Sequence, residues 1–233
     1  MISPSLWMND LMGLFFPRVC QSCSVQLFDS EDILCMKCRY KLPQTNFHSS
    51  YDNPVMEIFK GRIDLYSATS FLFFNKGGMA QQTIHRLKYK GKKEIGLYLG
   101  KLFGRQLNDS ELFNQADAII PVPLHPKRQF KRGYNQSFMI ATGMAVEMKA
   151  EVYSDVLFRT SHTSSQTKKT RYERWENVKD IFEVKHAESL IGKHLVLVDD
   201  VITTGATLEA CANSLLQIPD IKLSIASLAY SQG

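Results

Sequence analysis

Two clusters of side chains in this sequence have the types and spacing to do chemistry. The first is Cys20-x2-Cys23, eleven further residues, then Cys35-x2-Cys38. Each CxxC turn aims two sulfurs at one point, and two such turns supply the four thiolates of a tetrahedral metal site. Structural Zn2+ is the expected ion. An iron–sulfur cluster or a redox dithiol pair is the competing use of the same residues. A closed site would staple residues 17–45, a stretch too small to bury a core of its own. The fifth cysteine, Cys211, lies between Ala210 and Ala212 in a helical pattern and reads as a small buried apolar residue.

The second cluster ends an apolar run. Leu195-Val196-Leu197-Val198 leads into Asp199-Asp200-Val201-Ile202-Thr203-Thr204-Gly205-Ala206-Thr207. A buried strand here delivers two carboxylates to its C-terminal end, and a hydroxyl-rich turn then opens a helix. Ligands of open parallel sheets bind in this place. The N–H groups and positive dipole end of the helix start suit a phosphate. Gly205 lets the backbone close round it, and Thr203, Thr204 and Thr207 offer hydroxyls. Two adjacent acids would repel a phosphate, so they are expected to face sugar hydroxyls, with or without Mg2+. A capping box is the bland alternative. It accounts for one acid and one threonine, but not for two acids, three threonines and a glycine.

The chain of 233 residues has 28 basic and 23 acidic side chains, a net charge of +5. Segments 85–93, 125–132 and 159–174 hold 14 of the basic residues and one acid, Glu173. They carry +13 and the remainder −8. This separation points to a site for phosphate, pyrophosphate or nucleic acid if the fold brings the segments together; each alone reads equally as a solvated face. An apolar fraction of 44% and a charged fraction of 22% exclude disordered, collagenous and fibrous classes. No apolar run approaches the roughly 18 residues of a membrane span. The apolar stretch 11–17 follows Asp10, with no basic opening and no small-residue cleavage site, and does not read as a signal peptide. The expected location is the cytoplasm.

The elements that must position these residues follow from periodicity. Residues 5–16 read as a short amphipathic helix, and 46–62 as a linker with a helical turn after Pro54. Residues 64–75 read as an aromatic-rich strand or hairpin ended by Gly77-Gly78. Helices are expected over 79–88 and 92–107, broken at Gly91, and a buried strand over 117–122 before Pro123 and Pro126. Asn135 is expected to cap a helix over 135–149, and 160–176 to form a long exposed loop. A strand at 194–198, a helix at 206–217 and a strand at 221–230 complete the pattern. The alternation implies an α/β fold, a mainly parallel sheet with helices on both faces. Two domains are expected, residues 1–45 around the cysteines and 46–233.

With these pieces in place, residues 196–207 resemble the phosphoribosyl-pyrophosphate (PRPP) signature of type I phosphoribosyltransferases. The whole resembles one branch of that superfamily, the ComF family of competence proteins. The supporting residues are the paired CxxC, Leu87-Lys88-Tyr89-Lys90-Gly91, Pro121-Val122-Pro123-Leu124-His125 and Arg132-Gly133-Tyr134-Asn135-Gln136. Arg159 with Thr163, Gln166 and Thr167, and Glu173-Arg174 with Asn177, extend the resemblance. It implies a type I phosphoribosyltransferase-like sheet with a small N-terminal zinc module. It assigns the ribose hydroxyls of PRPP to Asp199 and Asp200. The 5′-phosphate falls to Thr203, Thr204, Gly205, Ala206 and Thr207, with Mg2+ accompanying PRPP.

The same resemblance makes Lys88, Tyr89 and Lys90 the counterpart of the pyrophosphate loop, although the two lysines also read as helix-end cations. It places 160–176 where the superfamily has a flap. There Arg171 and Arg174 either close over pyrophosphate by bidentate pairing or simply solvate the loop. It implies handling of single-stranded DNA in natural transformation. Phosphates would meet Lys88, Lys90, Arg128, Lys131 and Arg132, and a base would stack on Tyr134, unless that ring packs instead. His125 reads as a loop hydrogen-bonding residue. Two other readings stand beside this one. The protein is an active transferase moving phosphoribose to an unidentified nitrogen acceptor, or a zinc-stabilised module that gathers competence or DNA-processing proteins.

Overall fold

A computed structural model describes residues 17–160 and 182–231. Helices α1 (Met36–Tyr40) and α2 (Pro54–Phe59) precede strand β1 (Ser67–Phe73). Next come α3 (Met79–Tyr89), α4 (Lys93–Asn108), β2 (Ala118–Pro121), α5 (Pro126–Arg132), α6 (Gln136–Met148) and β3 (Glu151–Val152). The remainder is β4 (Leu157–Arg159), β5 (Phe182–Val184), β6 (His194–Ile202), α7 (Ala206–Leu215) and β7 (Lys222–Tyr230). Five strands form one sheet in the order β1-β7-β6-β2-β3, every neighbouring pair parallel. β4 and β5 make a separate antiparallel ribbon. The expected helix over 5–16, and Arg171 and Arg174 with the loop that carries them, lie outside the described residues.

Alternation of side chains along the strands divides the core. Ile119, Val196, Val198, Ala226 and Leu228 face one cluster, covered by α3, α4 and α6. Ala118, Ile120, Leu195, Leu197, Leu223 and Ile225 face the other, covered by α2 and α7. β6 runs to Ile202, four residues past its expected end, because the ladder to β7 continues. Asp199 pairs with Ser227 and Val201 with Ala229. The acid pair is therefore fixed by the sheet and not by a loop.

Helices α4 and α6 meet backbone to backbone. A Cβ at Gly100 would strike the Ile140 carbonyl oxygen, and one at Gly104 would lie 2.7 Å from that of Met144. This approach seats the N-terminus of α6 against the end of β6. Of residues 46–62, expected as a linker with a helical turn after Pro54, the turn is present as α2, and the segment is packed rather than a free linker. Asn53 accepts from the N–H groups of Val55 and Met56 (3.0 and 3.1 Å) and donates to the Ala68 carbonyl (2.9 Å). Val55 and Phe59 are fully buried. α5 was not expected; Pro126 opens it at a position where a missing N–H is tolerated. The module residues Leu27, Leu34 and Leu42 join the cluster of Phe71, Leu99 and Phe103. Among the described residues, no helix is long and apolar enough to cross a membrane.

Candidate functional site

β6 delivers Asp199 and Asp200 side by side, and each finds a different partner. Asp199 Oδ1 accepts from the Ser137 hydroxyl (3.0 Å) and from the Asp200 backbone N–H (2.8 Å). Lys88 Nζ, in the last turn of α3, pairs with Asp200 Oδ1 at 2.9 Å. Burial and then the neighbouring Asp200 charge push the Asp199 carboxyl up to about 7, against the lowering effect of its hydrogen bonds and Lys88. An acid poised at neutral pH gains strongly from hydroxyl donors or a cation brought to it.

The turn that follows leaves its helix start open. Gly205 is the N-cap of α7, at φ +76°, with no side-chain cap. Thr204 Oγ1 lies 3.5 Å from the Ala206 N–H, and neither aspartate caps the helix. The capping-box alternative is therefore not what the acids serve. A Cβ at Gly205 would sit 2.8 Å from both Ile58 and the Phe59 ring. Conformation and packing thus both demand glycine here. Thr203, Thr204, Ala206 and Thr207 are exposed round the open N–H groups. Arg62 holds the turn from below, donating to the carbonyls of Ile58 (3.0 Å) and Thr204 (3.1 Å) and pairing with Glu209.

Three successive residues at the end of α3 tie separate parts of the chain together. Arg86 donates to the Ser24 hydroxyl (2.8 Å) and the Cys20 carbonyl (3.3 Å) in the first CxxC turn. The Leu87 carbonyl accepts from the Tyr134 hydroxyl, and Lys88 meets Asp200. Tyr134 is partly buried against the core, and burial pushes its hydroxyl up in pKa. Tyr89 is exposed, with the Arg132 guanidinium 5.2 Å from its ring centre and the His85 ring at 4.8 Å. Gln136 accepts from Arg132 at 2.6 Å. Asn135 caps α6 through the Ser137 N–H (3.0 Å) and donates to the Val122 carbonyl (2.9 Å). His125, expected to hydrogen-bond within a loop, is instead the N-cap of α5, its Nδ1 accepting from the Lys127 N–H (3.2 Å).

The four cysteine sulfurs lie within 4.8 Å of one another. Four sulfurs each about 2.3 Å from one ion would show similar mutual spacings, so the donor set fits a metal such as zinc. Backbone N–H groups of Ser22 and Cys35 point at Cys20 Sγ (3.5 and 3.3 Å). Burial raises the Cys20 thiol, but N–H groups of Cys23, Cys35 and Ser22 outweigh it and leave it lowered to about 7. Cys38 is pushed up to about 12, first by burial and then by the thiols of Cys23 and Cys35. A cation among them would reverse that mutual penalty. Cys211 is fully buried on α7, as expected.

The structure thus gathers Lys88, Asp199, Asp200 and the 203–207 turn at one end of the sheet, with Tyr89 and Arg132 in contact beside them. Lys90, Arg128 and Lys131 are exposed on the adjoining elements. Arg62 and Ser137 were not singled out from the sequence.

Residues 135–230 match the family described as "Phosphoribosyl transferase domain". The chain is 31% identical over 140 residues to DNA utilization protein YhgH of Escherichia coli (strain K12), covering 58% of this chain and 60% of that protein. It is 29% identical over 150 residues to Competence protein F of Haemophilus influenzae, covering 63% and 66%. It is 27% identical over 213 residues to Competence protein ComFC of Bacillus subtilis, covering 86% and 78%. The chain therefore spans about 60% of the length of the E. coli relative. Two solved structures are similar in outline. One is a glutamine PRPP amidotransferase from B. subtilis (TM-score 0.42, 17% identity, 60% of this chain and 30% of that one). The other is an adenine phosphoribosyltransferase from Leishmania tarentolae (TM-score 0.38, 11% identity, 82% and 94%).

The parallel sheet, the turn after β6 and the domain match define a type I phosphoribosyltransferase-like fold. In its four-cysteine cluster and its relatives the chain is similar to competence proteins of the ComF family.

Proposed function

We propose that the protein binds PRPP at the 199–207 turn and handles single-stranded DNA on the cationic surface beside it, in natural transformation. The observation that carries this reading is the division of labour after β6. Two carboxylates are held apart from an open, uncapped helix start by the sheet register, with Lys88 on Asp200. In this reading Asp199 and Asp200 accept from the ribose hydroxyls. Thr203, Thr204, Gly205, Ala206 and Thr207 enclose the 5′-phosphate with hydroxyl and N–H donors. Lys88, Tyr89 and Lys90 serve the pyrophosphate, and Arg171 and Arg174, outside the described residues, would supply further positive charge to it. The oxygen-rich donor set suits Mg2+, which supplies positive charge to the pyrophosphate. Cys20, Cys23, Cys35 and Cys38 hold a structural Zn2+ that staples residues 17–45 where they pack on the core.

DNA contacts fall to Lys88, Lys90, Arg128, Lys131 and Arg132. The names of the relatives, a DNA utilization protein and two competence proteins, support this half of the reading. A salt titration of oligonucleotide binding tests it. Affinity should fall steeply with salt, and reversing Lys90, Arg128 and Lys131 to Glu should lower both affinity and slope. Binding that is undetectable at low salt, or untouched by the reversals, contradicts it. Pyrophosphate release from PRPP in the presence of amine or base acceptors would instead favour the active-transferase reading.

A further inference from the structure

We infer that Phe130, together with the Tyr89–Arg132 pair, forms a base-stacking platform for single-stranded DNA; this rests on the DNA-handling reading above. α5 contributes no buried residue to either core cluster. Its seven residues carry Lys127, Arg128, Lys131 and Arg132, and in their midst Phe130 is 93% exposed. A helix that serves only to be solvated gains nothing from a phenylalanine, and this one adds nothing to the core. An aromatic ring open on its faces and surrounded by cations is the arrangement that binds single strands, with bases on the ring and phosphates on the cations.

Tyr89 supplies the second surface. It is 61% exposed, and Arg132 lies against its ring while Gln136 fixes the guanidinium from behind. A guanidinium held over an aromatic ring extends the stacking surface and adds charge. Tyr134 cannot take this role in the observed arrangement. Its hydroxyl is committed to the Leu87 carbonyl and its ring packs on the core.

Phe130 and Arg132 are two residues apart and point to different sides of α5. The two surfaces are thus separated by roughly the 10 Å width of a helix. They suit different bases of one strand and would not sandwich a single base. The Tyr89 surface adjoins Lys88, which pairs with Asp200, so a strand lying on both would pass the mouth of the PRPP site. A lipid surface is the competing occupant of a cationic helix. With one large apolar residue in seven, α5 has too little apolar face to insert.

The experiment is fluorescence anisotropy of a labelled deoxythymidine 20-mer, and of an abasic strand of the same length, with the full-length protein. Phe130→Ala and Tyr89→Ala should each weaken the thymidine strand by about 5- to 100-fold. The salt slope should not change, because no phosphate contact is removed. Phe130→Trp should restore binding. The abasic strand should bind wild type weakly and should not respond to Phe130→Ala. Thermal unfolding of Phe130→Ala should match wild type, which separates lost stacking from lost fold.

If both alanine variants bind the thymidine strand like wild type while the lysine reversals abolish binding, the platform is wrong and the DNA reading stands. If wild type binds neither strand, the DNA reading itself fails. If Phe130→Ala loses binding to phosphatidylserine vesicles but not to DNA, the ring serves a membrane and the inference is overturned.

Discussion

The cysteine module and the turn after β6 both gather like charges in a small space, and they do so by opposite means. Asp199 and Asp200 are held by a sheet buried on both faces. Leu195 to Val198 are inaccessible, and the ladder to β7 continues past the acids. The four thiols are held by two short turns, a five-residue helix and a handful of apolar contacts. The sheet can therefore bear the cost of two adjacent carboxylates in the free protein, whereas under the proposed reading a cation would hold the module's thiolates together. The comparison teaches where each site's order comes from. In that reading one site is ordered before its ligand arrives, and the other would be completed by its ion.

The largest effect should come from breaking the module. Cys35→Ser with Cys38→Ser removes two of the four sulfurs, and metal analysis should show the ion lost. Thermal unfolding should fall by on the order of 10 °C, as several kcal/mol go from a chain of this size. Ligand binding at the turn should weaken as well, because Arg86 loses its anchor two residues from Lys88. Unchanged melting would mean that the module is self-supporting and the contrast false.

Gly205→Ala attacks the other side. A left-handed φ and a Cβ 2.8 Å from the Phe59 ring together cost about 2–4 kcal/mol. The metal should stay bound while ligand binding disappears. Loss of metal in that variant would show that the two regions are not independently built.

Asp199→Asn sharpens the contrast through pH. The unfolded chain releases the Asp199 proton near pH 4, whereas the folded chain keeps it to about 7. The ionised form is thus penalised by folding, and stability falls as pH rises from 4 to 7. Asparagine removes that slope. The variant should be more stable than wild type at pH 8, by about 1–3 kcal/mol, and closest to it at or below pH 4. A wild-type stability that rises over this range would contradict the burial of that carboxyl.

The smallest effect tests the connection between the regions. Arg86→Met severs the bonds to Ser24 and Cys20 but leaves the sulfurs in place. Metal content should hold, and ligand affinity should fall by about 5-fold. Zinc extraction by a chelator should slow when ligand fills the turn, since coupling is reciprocal. Equal extraction rates would show that α3 transmits nothing.

Much of this was legible in the sequence because it is local. The apolar runs of β6 and β7, the paired CxxC and the Asp-Asp-Val-Ile-Thr-Thr-Gly turn each declare themselves within about twenty residues. What stayed hidden depends on distance or on ambiguous punctuation. Arg62 supports the turn from 142 residues away, and nothing near it in sequence marks its partner. α5 was obscured because Pro126 reads as a breaker as well as a helix start. The orientation of Tyr134 depended on where the Leu87 carbonyl would lie. Gly100 and Gly104 lie four residues apart, but only the neighbouring helix gives that spacing meaning. The basic segments were countable from sequence, yet only the fold brought Lys88 to Asp200 and Arg132 to Tyr89.

The central claim is that the acids and the open helix start form one ligand site, and calorimetry of PRPP with Mg2+ tests it most directly. Wild type should give a single binding isotherm with one ligand per chain. Asp199→Asn with Asp200→Asn should weaken it by about 100-fold or more while the protein stays folded and its metal bound. Wild-type affinity in that double variant would contradict the account.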